Sequence, residues 1–193
     1  MKNVWKTDNK ILLGLRIVLP VLCLAVMVFI FSNSLQSGES SSAQSSAVTD
    51  AVQEVISVIA PESEIANATG EAYDKLHADI RNLAHFAEFA LLGALLCWTY
   101  RAYTAKKKFL YIPAVFVILV PIIDERLQTF STSRAAEWKD VWTDICGGFV
   151  GFAFAAFTVW LGVALYRKRT EKRALISALA VAESADTEEG NGV

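Results

Sequence analysis

The sequence has little charge, few cysteines and no surplus of basic residues. Only 20% of its 193 residues are charged and 54% are hydrophobic, whereas about a quarter of the residues of an average soluble domain are charged. The formal net charge of −2 gives no general attraction for a phosphate backbone, which argues against nucleic-acid binding. The three cysteines are odd in number and set apart in apolar sequence, so their spacing indicates neither a disulfide framework nor a metal site.

Long apolar runs predict four membrane-spanning helices, at about residues 11–31, 81–103, 109–130 and 140–166. The first and last runs are long enough to cross about 30 Å of hydrocarbon as helices. The middle two reach that length only if each helix continues through its charged end. The first run could instead be a cleaved signal peptide, but its apolar core exceeds the usual length of about 7–15 residues. We therefore expect an uncleaved anchor.

The distribution of lysine and arginine predicts the orientation. Of the 18 basic residues, 13 lie in the segments 2–16, 101–108 and 167–173, and cytoplasmic segments are the ones enriched in these residues. We expect both termini in the cytoplasm. The predicted fold is an all-α, four-helix transmembrane bundle within residues 1–173, followed at 174–193 by an acidic cytoplasmic tail that is too polar to fold.

The long segment between the first two spans, residues 32–80, is expected on the outer side. Its serine-rich start, 32–46, predicts a solvated loop. Apolar residues at helical spacing over 48–59 then predict a short amphipathic helix, with Asp50 and Gln53 placed like a capping box. Such a helix suits the outer surface of the bilayer or the mouth of the bundle. Packing against a partner helix is an equally good interpretation.

Ionisable residues gather at the predicted outer ends of the last three spans. His85 and Glu88 follow Arg81 at i+4 and i+7, so one helical face presents all three. Groups of this kind are costly at a membrane boundary and usually face a bundle interior or a cavity. The sequence therefore predicts a ligand-binding pocket. Its expected residues are Arg81, His85, Glu88, Asp124, Glu125, Gln128, Arg134, Asp140 and Asp144.

Carboxylates outnumber basic groups in this predicted pocket, so they keep protons, bind a cation or await a cationic ligand. We expect no cofactor and no metal centre, with a divalent cation at the carboxylates left as an open option. The bland alternative is that the charges only lock the bundle. Gly147, Gly151 and Ala155 continue the face of Asp144 at intervals of four, which predicts close packing against a neighbouring helix.

Four polar motifs follow one another in order along residues 11–166. They are Phe31-Ser32-Asn33-Ser34, then Arg81-Asn82-Leu83-Ala84-His85-Phe86-Ala87-Glu88-Phe89, then Asp124-Glu125 with Gln128, and last Arg134, Asp140 and Asp144 with Gly147-Gly148. In this order they resemble the VanZ-like family of small bacterial membrane proteins. The resemblance implies a multi-pass protein of the bacterial plasma membrane. It also implies a link to resistance to the glycopeptide antibiotic teicoplanin, without specifying a reaction.

Three functions are consistent with these patterns. The first is an outer-leaflet protein that binds a lipid-linked cell-envelope component, such as a cell-wall precursor, or limits access of a glycopeptide. The second is an intramembrane hydrolase of a lipid phosphate, because the spacing of Ser133, Arg134, Asp140 and Asp144 resembles the last motif of the lipid-phosphate phosphatases. Aspartate replaces their nucleophilic histidine, however, so we favour binding over catalysis. The third is a structural accessory protein. Membrane lipids are the expected partners, and the oligomeric state is left open.

Overall fold

The computed structural model describes residues 10–36, 38–104, 110–130 and 138–190, without the side chains of residues 38, 39 and 181–190. This part of the chain contains helices and no strand, which confirms the all-α class. Its five helices are α1 (Lys10–Ser34), α2 (Gly38–Ile59), α3 (Glu71–Tyr103), α4 (Tyr111–Gln128) and α5 (Trp138–Gly190). The chain divides into two units, Met1–Ala155 and Ala156–Val193, and every site residue considered below lies in the first.

Three helices in the described part are long and apolar enough to cross a membrane. They are Lys10–Ser34, Glu71–Tyr103 and, within α5, Trp138–Ala180. The remaining predicted span corresponds to α4, whose apolar run ends in the consecutive charges Asp124, Glu125 and Arg126. The structure thus supports a membrane protein, while the four-span topology and the cytoplasmic termini stay predictions.

The helices continue through their charged ends, as full-length spans require. Helix α3 runs unbroken across residues 81–88, and α4 extends to Gln128. Helix α3 even begins ten residues before Arg81, directly after Gly70, whose φ of 54° is a conformation that glycine adopts without strain. The charged side chains are therefore held on regular helix instead of on loops.

The serine-rich stretch is helical, and the predicted solvated loop is wrong. Helix α2 begins at Gly38 and includes most of this stretch. The hydroxyls of Ser45, Ser46 and Thr49 donate to backbone carbonyls four residues earlier, at 3.0, 2.6 and 2.8 Å. These bonds satisfy the polar side chains within the helix itself. The serine-rich composition alone did not predict these bonds from side chains to the backbone of the same helix.

The predicted capping box is also wrong, because Asp50 and Gln53 lie in the interior of α2. The Tyr73 hydroxyl of α3 donates to Asp50 at 2.7 Å. The Gln53 amide donates to the carbonyl oxygens of Ile65 and Ala68, each at 3.0 Å. Both residues thus tie α2 to α3 and to the connection between them, in agreement with the helix-packing interpretation.

Residues 174–190 differ from the predicted disordered tail, because α5 continues as helix to Gly190. The stretch Ala174–Ala180 contains three alanines and two leucines, which have among the highest intrinsic helix propensities. This local preference continues the helix beyond the apolar segment.

The backbones of α3 and α5 are in close contact, which sets the position of these two helices relative to each other within the first unit. A Cβ atom added at any of three glycines would overlap a carbonyl oxygen of the other helix. The overlapping pairs are Gly93 with Gly148, Gly147 with Phe86, and Gly151 with Ala90. Ala155, next on the same stripe, is fully buried. Glycine is needed at these positions because only hydrogen leaves room for the facing backbone.

Helix α1 is held against α3 by apolar packing and by polar contacts. Ile30 of α1 packs with Phe89, Leu92 and Val120 in a buried cluster that joins α1, α3 and α4. At the far end, the Arg16 guanidinium donates to the Ala102 carbonyl at 2.9 Å, and the Tyr103 hydroxyl donates to the Arg16 carbonyl at 2.6 Å. These contacts align α1 with the helices that carry the charged residues.

The close glycine contacts predict that replacing glycine by alanine has opposite effects on stability at Gly151 and at Gly162, both in α5. Gly151→Ala must push the helices apart, which costs about 1–3 kcal/mol. Gly162→Ala adds a methyl group where nothing lies within 4 Å, and should stabilise the helix by about 0.5–1 kcal/mol. We expect a lower melting temperature for Gly151→Ala and an equal or higher one for Gly162→Ala, measured by tryptophan fluorescence in detergent. Equal shifts for both variants would contradict the contact.

Candidate functional site

The structure brings most of the predicted site residues together where the end of α4 and the start of α5 meet the middle of α3. A small pocket that opens to solvent lies between these helices. Its lining residues are Asn82, His85, Gln128, Asp140, Thr143 and Asp144. All of them are polar, although the helices that carry them are otherwise largely apolar. Arg134, which we also predicted for this site, lies outside the described residues.

Three acid and base side chains from three different helices meet at the inner side of this pocket. A ring nitrogen of His85 and one carboxylate oxygen each of Asp124 and Asp144 all lie within 4.8 Å of one another. Asp124 is fully buried, and Asp144 is only 2% exposed. We call these residues the His85 triad. Gly147 contacts Phe86 where the backbones of α3 and α5 approach each other closely. Phe86 follows His85 by one residue, and Gly147 follows Asp144 by three. The side chains of His85 and Asp144 are therefore close because the two backbones are close beside them.

Hydrogen bonds from two helices orient Asp124. The Ser34 hydroxyl at the end of α1 donates to Asp124 Oδ1 at 2.6 Å, and the Gln128 amide, one turn along α4, donates to Oδ2 at 3.2 Å. Ser34 is fully buried, so its bond to the carboxylate is shielded from water. Such charge-assisted bonds fix the carboxylate in one rotamer.

Asp144 has no comparable support among the described residues. Its Oδ1 atom is buried and has no hydrogen-bond partner in that part of the chain. Four other carboxyl groups are its electrostatic neighbours: Asp124, Asp140, Glu125 and Glu88. Negative charge is thus concentrated around Asp144, and a positively charged or hydrogen-donating ligand would relieve it.

Arg81 and Asp140 form an ion pair at the mouth of the pocket. Arg81 Nη2 lies 3.7 Å from Asp140 Oδ2, and the side chains are 39% and 24% exposed. At this distance and exposure the pair contributes little to stability. The guanidinium therefore keeps donors that can turn to an incoming anion.

Glu88 and Glu125 lie near the pocket but do not line it. The Asn33 amide of α1 donates to Glu88 Oε1 at 3.4 Å, while Glu88 Oε2 is buried without a hydrogen-bond partner among the described residues. Glu125 is only 6% exposed. Of the residues predicted for the site, some therefore line the pocket, whereas the carboxylates of Glu88 and Glu125 do not.

Sequence reasoning missed four polar contributors to this region, namely Asn33, Ser34, Asn82 and Thr143. The signal was present for the first two, because Asn33 and Ser34 end an otherwise apolar helix. Polar side chains at the end of an apolar helix need hydrogen-bond partners, which Glu88 of α3 and Asp124 of α4 provide. Asn82 precedes His85 by three residues on α3, and Thr143 directly precedes Asp144 on α5; all four line the pocket.

Comparison with known families places these residues within a shared domain. The family model described as VanZ/LLP1 matches residues 19–163, about three quarters of the chain. The chain belongs to the VanZ/LLP1 family. The match confirms the resemblance seen in the four polar motifs, and it includes every site residue named above. No curated protein and no solved structure matches the chain significantly.

In this VanZ/LLP1 protein the bond from Ser34 to Asp124 should contribute measurably to stability. Ser34→Ala leaves a buried carboxylate without its donor, and a bond to a charged group is worth about 1.5–3 kcal/mol. We expect the melting temperature to fall by roughly 5 °C. Ser57→Ala is the matched control, because the exposed Ser57 hydroxyl bonds only to a carbonyl of its own helix. A melting temperature unchanged in both variants would show that the contact with Asp124 is not formed.

Proposed function

We propose that this VanZ/LLP1 protein binds the phosphate-bearing head group of a lipid-linked cell-envelope component in a bacterial plasma membrane. The observation that carries the proposal is the pocket lined by polar residues of α3, α4 and α5, beside the half-exposed Arg81. Ionisable groups at such a place are costly unless a ligand uses them. The basic-residue distribution favours an outer-leaflet position, with both termini cytoplasmic.

The donors at the mouth suit a phosphate. A guanidinium presents paired N–H groups that match phosphate oxygens, and Arg81 is held only loosely by Asp140 at 3.7 Å. The amide of Asn82 adds a further donor to the lining. The ligand would exchange places with Asp140 as the partner of Arg81. Asp140 can then accept hydrogen bonds from hydroxyl groups of a sugar substituent.

The surfaces beside the pocket favour a lipid over a soluble anion. Helix α4 exposes Phe116, Leu119 and Ile123, each between 45% and 47%. Helix α1 also exposes large apolar side chains along most of its length. Hydrocarbon chains of a bound lipid can lie against these surfaces while the head group enters the polar region. Engagement of such a lipid would limit the access of a glycopeptide antibiotic, in keeping with the phenotype that the family resemblance implies.

Binding is tested with full-length protein purified in detergent and titrated with a fluorescent polyprenyl phosphate. Arg81→Gln should weaken binding by about tenfold, the effect of losing roughly 1.4 kcal/mol from a charged hydrogen bond. Asp79→Asn, which neutralises an exposed charge on the same helix, should bind like the parent. In a sensitive bacterium, the parent and Asp79→Asn should raise the teicoplanin concentration needed for inhibition, and Arg81→Gln should not.

Two results would contradict this function. Equal lipid affinity of Arg81→Gln and the parent, at equal membrane levels, would assign the charges to helix packing. Protection from teicoplanin by Arg81→Gln would separate the phenotype from the pocket.

A second candidate, hydrolysis of a lipid phosphate, is favoured by one observation. His85 and Asp144 lie on different helices, yet the structure places their donor atoms within 4.8 Å of each other in one pocket. An imidazole beside a carboxylate can act as a nucleophile or a general base. His85 would then act on the phosphate, and Asp144 would orient its ring.

Phosphate release from polyprenyl and diacyl phosphates distinguishes the two functions. A hydrolase should release phosphate with the parent and with His77→Gln, and should lose activity by about 100-fold or more with His85→Gln. His77 is a suitable control because its ring contacts the Ser42 carbonyl of α2, away from the pocket. No release by the parent, with or without divalent metals, would leave binding as the function.

A further inference from the structure

The His85 triad combines one nitrogen and two oxygen donors at a single point. The three helices α3, α4 and α5 each contribute one ligand atom, and all three atoms lie within 4.8 Å of one another. From this geometry we propose that His85, Asp124 and Asp144 bind a divalent transition-metal cation, Zn²⁺ or Mn²⁺. The site goes beyond the proposed lipid binding and does not depend on it.

The buried oxygen of Asp144 is the independent sign that something binds here. Asp144 is 2% exposed and lines the pocket. Its Oδ1 atom has no hydrogen-bond partner among the described residues. A buried carboxylate oxygen without a partner costs free energy, and a coordinated cation removes that cost. The pocket that Asp144 lines includes space open to solvent, so a cation would have a route toward this carboxylate.

The surroundings of Asp124 resemble the support that metal ligands receive from neighbouring residues. Ser34 and Gln128 each donate to one of its oxygens, at 2.6 and 3.2 Å. A carboxylate oxygen accepts more than one bond, so these contacts orient the ligand without preventing coordination. The donors come from α1 and α4, which links the site to the packing of the whole first unit.

The donor types select the class of metal. The imidazole favours Zn²⁺ over Mg²⁺ and Ca²⁺, which prefer sites made of oxygen, and the two carboxylates also suit Mn²⁺. With metal–ligand distances of about 2.0–2.1 Å, ligand atoms of a tetrahedral site are roughly 3.3 Å apart. The observed limit of 4.8 Å requires each atom to move inward by less than about 1 Å. Rotation of side chains provides such a movement.

A cation at the triad would change the charge of the pocket. It would offset two of the carboxylate charges that surround Asp144. Three protein ligands also leave a coordination position for water or for an oxygen from another molecule. A pocket dominated by carboxylates would thereby become able to accept an anionic group beside Arg81.

The test uses the full chain without a histidine tag, freed of metal by a chelator and titrated with Mn²⁺ in detergent without added lipid. We expect one Mn²⁺ per chain by electron paramagnetic resonance, with nitrogen modulation of the spin echo from a bound imidazole. The chain has only two histidines, His77 and His85. His77→Gln should therefore retain the nitrogen signal, and His85→Gln should lose it.

Affinity gives a second readout. Asp144→Asn should weaken Mn²⁺ binding by more than roughly 100-fold, since loss of an outer-shell partner alone costs about 10–100-fold. Asp79→Asn should bind as the parent does. The cation should also raise the melting temperature of the parent but not that of Asp144→Asn.

The proposal is overturned if the parent binds no Mn²⁺ or Zn²⁺, if the nitrogen signal is absent, or if it survives in His85→Gln. If His85→Gln fails to fold, the nitrogen signal of His77→Gln still decides the question, because its retention assigns the signal to His85 and its loss overturns the proposal. Failure here leaves lipid binding intact, because that function is tested with Arg81, which lies outside the triad.

Discussion

The contact between the backbones of α3 and α5 is the constraint on which the site depends. Hydrogen in place of a side chain at Gly93, Gly147 and Gly151 lets carbonyl oxygens of one helix approach the other directly. Ordinary helix packing keeps axes about 8–10 Å apart, with side chains filling the space between them. A wider separation would move His85 away from Asp144. The small residues are therefore as much a part of the site as the charged ones.

The polar groups of the site also hold the helices together. Ser34 and Asn33 at the end of α1 donate to Asp124 of α4 and to Glu88 of α3. Buried hydrogen bonds of this kind stabilise the arrangement only while both partners are present. In the proposed metal site, Asp124 would serve both coordination and the packing of α1. Ser34 would then influence the affinity for the cation as well as the stability of the fold.

Much of this arrangement was predictable from local spacing. An interval of four placed His85 with Arg81 on one face, and an interval of three placed Asp144 in line with Gly147. What spacing cannot give is the distance between side chains on different helices, so the meeting of His85 with Asp144 became visible only in the fold. The serine-rich start of α2 was misjudged because hydroxyls can bond to their own helix. Ser34 was missed as a site residue because its partner is 90 positions away in the sequence.

The length of α3 relates the pocket to the membrane itself. His85 and Tyr103 are separated by 18 residues of continuous helix, about 27 Å at 1.5 Å per residue. That length nearly equals the hydrocarbon thickness of about 30 Å. At the Tyr103 end, the Tyr103 hydroxyl is hydrogen-bonded to the Arg16 carbonyl of α1. In the proposed topology, His85 and Tyr103 would therefore lie near opposite interfaces with little tilt. Bilayer thickness would then act on the pocket, because hydrophobic mismatch would displace both of these polar levels together.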